Sequence, residues 1–393
     1  MENETPQASR ARRFSELVEE GTRALEAKSA AVAIEKFSAA IALDPKRHLR
    51  IRLSRALAMD GQFAEAERQA SIAVSEANPS VHMLLHLANL RRQLGKTAEA
   101  LEVAERAAKT DPASASADFM RGRLLAEMGR YLEAADAVDA ANRKSDRPRT
   151  DWLLFASNLH RRLDDLPKAL VLAEKAMEAS PQPIPRMRAM IGDLRARIQN
   201  GGSSSEATVA YYDIIYKDNP AFVEDGSENL YLPVWTKLVS ILRDAGVSSV
   251  IDIGCGPGMF ARFFTEQMPG AAYLGMDFSA VAIEIARGRC PQQRFEQGDI
   301  TVLDAAALDR FGAIICTEVL EHIEADVDLL ERLPAGMRFL GSVPNYDSFG
   351  HVRFFADAAA VRERYGKLFS QFSVEDIPIR GRSRIFLMSG ILA

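Results

Sequence analysis

The chain of 393 residues has only three cysteines, Cys255, Cys290 and Cys316, all in its C-terminal half. An odd number without CxxC spacing speaks against a disulfide framework and leaves reduced structural thiols. No window approaches 18 apolar residues, which excludes a conventional spanning helix, and Met1 to Arg13 is too polar for a secretion signal. A cytoplasmic protein is expected. A strong overall charge is also missing, but the net of −5 divides unevenly into +4 over residues 1–200 and −9 over residues 201–393. An acidic C-terminal half repels a phosphate backbone and argues against nucleic acid as a partner. With 47% hydrophobic and 26% charged residues, the composition is that of folded domains, and the length implies two of them.

The first half repeats itself. Ala33, Ala66, Ala100, Ala134 and Ala169 stand 33, 34, 34 and 35 residues apart. Small residues recur seven positions later at Ala40, Ala73, Ala107, Ala141 and Ala176, and Pro45, Pro79, Pro112 and Pro181 close the second helices of their repeats. Period, small residues and closing proline resemble the tetratricopeptide (TPR) repeat over residues 14–184, although the usual first-helix tryptophan is absent and Gly21 and Gly122 alone keep the consensus glycine. The resemblance implies an α-helical superhelical solenoid whose groove carries Asn89, Arg92, Arg123, Asn158, Arg161 and Arg162. Such side chains would hold an acidic peptide or an anionic glycan, against the alternative of a solvated groove serving as a spacer. A capping helix over residues 185–200 and a hinge at Gly201–Ser205 complete the expected layout: a disordered N-terminus (1–13), repeats (14–200), linker (201–205) and second domain (206–393).

The second half opens on Val250-Ile-Asp-Ile-Gly-Cys-Gly-Pro-Gly258, an apolar strand running into a glycine turn before a helix. A P-loop would need the Lys and Ser/Thr that are absent here, and a nicotinamide or flavin site would more usually show GxGxxG. Strand-like runs follow at 272–276, 293–297, 312–316 and 337–343, and acids stand at or near strand ends at Asp252, Asp277, Asp299 and Glu318. Alternation with helical segments implies a doubly wound, Rossmann-like α/β sheet, with ligands at the carboxyl ends of the strands.

This run and the acids that follow it resemble motif I and its successors in class I S-adenosylmethionine (SAM)-dependent methyltransferases, including the ubiquinone-pathway O-methyltransferases. The resemblance implies an antiparallel pair over 373–379 and 384–392 at one edge. It assigns the methionine end of SAM to Asp252, Gly254, Cys255, Gly256 and Gly258, and the ribose to Asp277 beside Phe278. The adenine falls to Asp299 and Ile300, and a further cofactor contact to Thr317. Segments Tyr211-Tyr212-Asp213 and Tyr231–Trp235 are similar to the cover of small-molecule methyltransferases.

Glu318, Glu321 and His322 stand at i, i+3 and i+4, one face of an expected helix. Three readings stay open. His322 serves as a base tuned by Glu318 or Glu321; or Glu318, Glu321, His322 and His351 bind a divalent cation; or the acids and His322 only order the pocket. The ExxEH pattern resembles small-RNA 3′-terminal 2′-O-methyltransferases, but their extra histidines are missing around His351. The expected function is O-methylation of a glycan, a carrier-bound metabolite or a small molecule, with the repeats recruiting substrate or partner. A protein methyltransferase, or a repeat adaptor with a SAM-binding but inactive domain, is the alternative.

Overall fold

The computed structural model describes residues 6–44, 47–75, 78–182, 185–201, 206–218, 230–302 and 307–393, which form two compact units, Met1–Leu163 and Asp164–Ala393. In the first, α1 (Pro6–Glu26) to α9 (Thr150–Arg162) follow the repeat: α2 is Ala30–Leu43, α3 Arg47–Met59, α4 Phe63–Ser75, α5 Val81–Gln93, α6 Thr97–Thr110, α7 Ala115–Glu127 and α8 Tyr131–Lys144. Short connections force antiparallel hairpins. Ser80 and Ser114 start α5 and α7 by accepting from the Met83 and Ala117 amides. The recurring alanines on α2, α4, α6 and α8 are completely buried, because no larger side chain fits where two helices meet. Gly122 shows the limit: a Cβ there would stand 2.4 Å from Val138 Cγ2.

Some expectations change. Residues 6–13, expected to be disordered, are helical, since Pro6 opens α1 and alanines and arginines sustain it. Arg161, expected in the groove, is buried, with Nε and Nη2 donating to Asn158 Oδ1 at 3.1 and 3.0 Å. Arg92 is engaged by Glu127 at 2.7 Å. The fifth repeat's second helix falls in the second unit, and of the expected hinge, residues 202–205 lie outside the described residues, as do Pro45 and residues 1–5.

The second unit begins with α10 (Leu166–Ala179) and α11 (Pro185–Asn200), followed by α12 (Val209–Asp218) and α13 (Leu232–Asp244). The sheet then forms from β1 (Ser249–Ile253), β2 (Ala272–Asp277), β3 (Arg294–Gln297), β4 (Ala313–Thr317), β5 (Arg338–Pro344), β6 (Phe369–Arg380) and β7 (Ser383–Leu392). Its order is β3-β2-β1-β4-β5-β7-β6, with β7 antiparallel to both neighbours. Strand alternation feeds two cores. Ile251, Ile253, Ile314 and Phe339 pack with α16 (Asp326–Glu331) and α17 (Ala358–Tyr365) on one face. Val250, Ala313, Ile315 and Leu340 pack on the other with α13, α14 (Met259–Gln267) and α15 (Ala280–Arg289). Parallel strands covered on both faces leave only their carboxyl ends open to a ligand.

Candidate functional site

The turn after β1 is clamped to the end of β2, where Met276 O accepts from the amides of Gly254 at 2.7 Å and Cys255 at 3.0 Å. Gly254, Gly256 and Gly258 have φ of +78°, +52° and +76°. At Gly254 a side chain is excluded twice, by that φ and by Val319 Cγ2, which a Cβ would meet at 2.3 Å. Asp277 fixes the same loop: Oδ2 accepts from Gly256 N and Oδ1 from Ser279 N, both at 2.9 Å. Burial raises its carboxyl to about 6 against the pull of those amides. Asp252 is also buried and raised to about 7; one oxygen accepts from Tyr273 Oη, while Oδ1 has no partner.

Beyond β4 the chain does not form the expected helix. Glu318 takes φ +56°, which ends regular structure; its amide donates to Ser342 O at 3.1 Å and its carboxyl accepts from Ser342 Oγ at 2.8 Å. A single 3-10 turn, Leu320–His322, follows. The i, i+3, i+4 face is therefore replaced by a different group. Glu321, His322 and His351 each present one ligand atom within 4.8 Å of the others, with Glu318 outside the set.

Glu321 is fully buried, and neither carboxyl oxygen has a hydrogen-bond partner. Burial, reinforced by Glu318, holds it far above the ordinary range. His322 Nδ1 lies 3.1 Å from Gly350 O and 2.9 Å from Tyr212 Oη. A carbonyl only accepts, so Nδ1 carries the hydrogen and the Nε2 lone pair is left, 3.8 Å from Glu321 Oε1. His351 repeats the device, Nδ1 donating to Tyr346 O at 3.1 Å. Burial lowers His322 to about 4, so its ring is neutral near pH 7.

Main chain and one arginine hold these parts together. Val352 N donates to Glu321 O at 2.8 Å; Arg353 donates to the carbonyls of Leu320 (2.7 Å), Ile323 and Glu324 (2.9 Å). Buried Asp326 anchors that guanidinium at 3.1 Å and is itself held by Arg364 and Tyr365.

Glycine turn and triad share a cavity of about 630 Å³, walled by Tyr211, Tyr212 and Tyr216 of α12, Tyr231 and Trp235 around α13, and Tyr346. Among the residues picked out by sequence, Asp252, Gly254, Cys255, Gly256, Thr317, Glu318, Glu321, His322 and His351 line it. Gly258, Asp277, Phe278, Asp299 and Ile300 do not, and Asp299 is exposed. Sequence reasoning missed Arg186, Tyr346 and Ser348. Tyr346 was within reach, two residues past the end of β5; nothing local marks Arg186.

The family model described as methyltransferase domain matches residues 250–336, and that described as tetratricopeptide repeat matches residues 85–148. A trans-aconitate 2-methyltransferase of Paracidovorax citrulli is 35% identical over 163 residues, which are 37% of this chain and 62% of that protein. The chain thus spans about three fifths of that relative's length. Among solved structures, the TPR protein YrrB is 19% identical with a TM-score of 0.37, covering 43% of this chain and 93% of its own. The methyltransferase domain of bacterial CtHen1-C is 20% identical with a TM-score of 0.33, covering 42% of this chain and all of its own. No helix among the described residues is long and apolar enough to cross a membrane. The family matches and the sheet order agree: the chain joins tetratricopeptide repeats to a Rossmann-like methyltransferase domain.

Proposed function

We propose that the chain is a SAM-dependent O-methyltransferase that activates an acceptor hydroxyl beside Glu321, His322 and His351, and that its repeats recruit a partner or the carrier of the substrate. The observation that carries this is the orphaned Glu321 carboxyl facing two imidazoles whose Nδ1 hydrogens are tied to carbonyls. A buried carboxyl without donors is costly unless protonated or matched by a cation. Two imidazoles and one carboxyl form a mixed nitrogen and oxygen set suited to a first-row divalent ion, so the residues present fit a metal. Bound there, the ion would supply Lewis acidity that lowers a hydroxyl's pKa. His322 held near 4 is a weak base toward a hydroxyl but a good neutral ligand, which favours this reading over direct base catalysis.

The glycine turn fits SAM, which would supply the electrophilic methyl. Its bare backbone admits close approach, and Asp277, buried behind the cavity wall, fixes that backbone through the amides of Gly256 and Ser279. Asp252 lines the cavity and has one carboxyl oxygen without a hydrogen-bond partner, which would serve as an acceptor for the ammonium end. Aromatic walls displace water and orient the acceptor for in-line attack.

The test uses the full chain: calorimetry with S-adenosylhomocysteine, then transfer from methyl-labelled SAM into cell extract with and without EDTA. Binding plus chelator-sensitive label in a non-protein acceptor is expected. No binding ends the proposal, label indifferent to EDTA removes the cation, and binding without transfer supports the adaptor.

A further inference from the structure

We infer that the acceptor is an anion, gripped through a carboxylate or phosphate by Arg186 at the wall of the methyl-transfer cavity; this rests on the function proposed above. Arg186 lies on α11, outside the segment matched by the methyltransferase family model. Among the described residues it is the one Lys or Arg that lines the cavity. Of the other arginines on α11, Arg188 pairs with Asp218 at 3.0 Å and Arg195 with Glu174 at 2.6 Å, while Arg197 is buried and does not line the cavity. Arg186 instead donates to a neutral hydroxyl, Ser348 Oγ, at 2.7 Å. A guanidinium offers five donors in a planar fork matched to carboxylate or phosphate, and one serine uses a single donor.

Its position joins that fork to the reacting centre. Ser348 begins the turn that ends at His351, whose amide donates to Ser348 O at 3.1 Å, and Gly350 of the same turn orients His322. The residue that binds Arg186 is thus three positions from a member of the triad. An anion displacing Ser348 from Arg186 would be held within one turn of the group that activates the hydroxyl.

The test separates the small-molecule fraction of a bacterial extract on an anion exchanger into retained and unretained pools. Each is offered to wild type, R186M and R186K with methyl-labelled SAM. Label is expected in the retained pool, reduced at least about tenfold in R186M and less in R186K, with S-adenosylhomocysteine affinity unchanged. Phosphatase treatment of the labelled product then distinguishes the sources: lost retention identifies a phosphate ester, kept retention a carboxylate. Trans-aconitate and inorganic phosphate, added as competitors, should inhibit wild type more than R186M. Label confined to the unretained pool, or R186M equal to wild type on the retained pool, overturns the inference while leaving the methyltransferase reading intact. Wild type that neither binds S-adenosylhomocysteine nor transfers label removes both.

Discussion

Tyr212 Oη lies 2.9 Å from His322 Nδ1, joining α12 to the imidazole, both lining the same cavity. The same nitrogen lies 3.1 Å from Gly350 O, so the phenol is one of two groups that fix the ring. In Tyr212→Phe the carbonyl still holds the tautomer. Turnover and Mn²⁺ affinity should each fall by about threefold to tenfold, below the 10- to 100-fold typical of losing a sole supporting partner. A loss beyond 100-fold in turnover alone, with Mn²⁺ titration unchanged, would instead make the phenol a participant in the chemistry.

Arg353 reaches three carbonyls of the turn that presents Glu321 and His322. Lysine keeps the charge but has no planar fork to span them. Arg353→Lys should therefore weaken Mn²⁺ binding by about tenfold or more while leaving S-adenosylhomocysteine affinity within about twofold, because the glycine turn is clamped separately by Met276 and Asp277. Parallel calorimetric titrations with the two ligands check it; equal losses would show that the arginine merely supports the fold.

Asp252 should leave a signature in the pH dependence of stability. Its folded carboxyl is raised from 3.8 to about 7, so the native state holds a proton that the unfolded chain has already released. Stability contributed by this group is full below 3.8, falls as pH rises through the window to about 7, and is constant above it. Asp277, raised to about 6, acts in the same direction. The urea midpoint of wild type should drop between pH 5 and pH 8, and Asp252→Asn should shrink that drop. An unchanged difference would show that Asp252 is ionised throughout.

Legibility followed the physics of each element. The alanines at period 33 to 35 could be read because a zero-clearance helix contact leaves a fixed residue type at a fixed interval, and all ten are buried as the period implies. The glycine turn and parallel strands were equally plain, since a backbone with positive φ and a strand covered on both faces each restrict composition. The triad was only half legible. Helical spacing grouped Glu318 with Glu321 and His322, but Glu318 adopts φ +56° and drops out, while His351 enters from a turn 29 residues away from His322 in sequence. Periodicity encodes local faces; Arg186, brought to the cavity from α11, shows that tertiary convergence leaves no periodic trace.

Repeat packing gives the last prediction, and the two tryptophans make it measurable. Trp152 is buried in the first unit and Trp235 lies in the second, so Trp235→Phe leaves a single fluorescent reporter for the repeats. In that background Gly122→Ala forces a Cβ to within 2.4 Å of Val138 Cγ2 and 3.0 Å of Ala134 O. Backbone at that distance cannot be displaced by a rotamer change, so α7 and α8 must separate. Overpacking of this kind costs about 1–3 kcal/mol. The Trp152 transition in urea should therefore move to lower concentration, while a Gly288→Ala control, where a Cβ meets nothing within 4 Å, should leave it in place. A Gly122→Ala transition superimposable on its parent would mean that these two helices are not in contact as described.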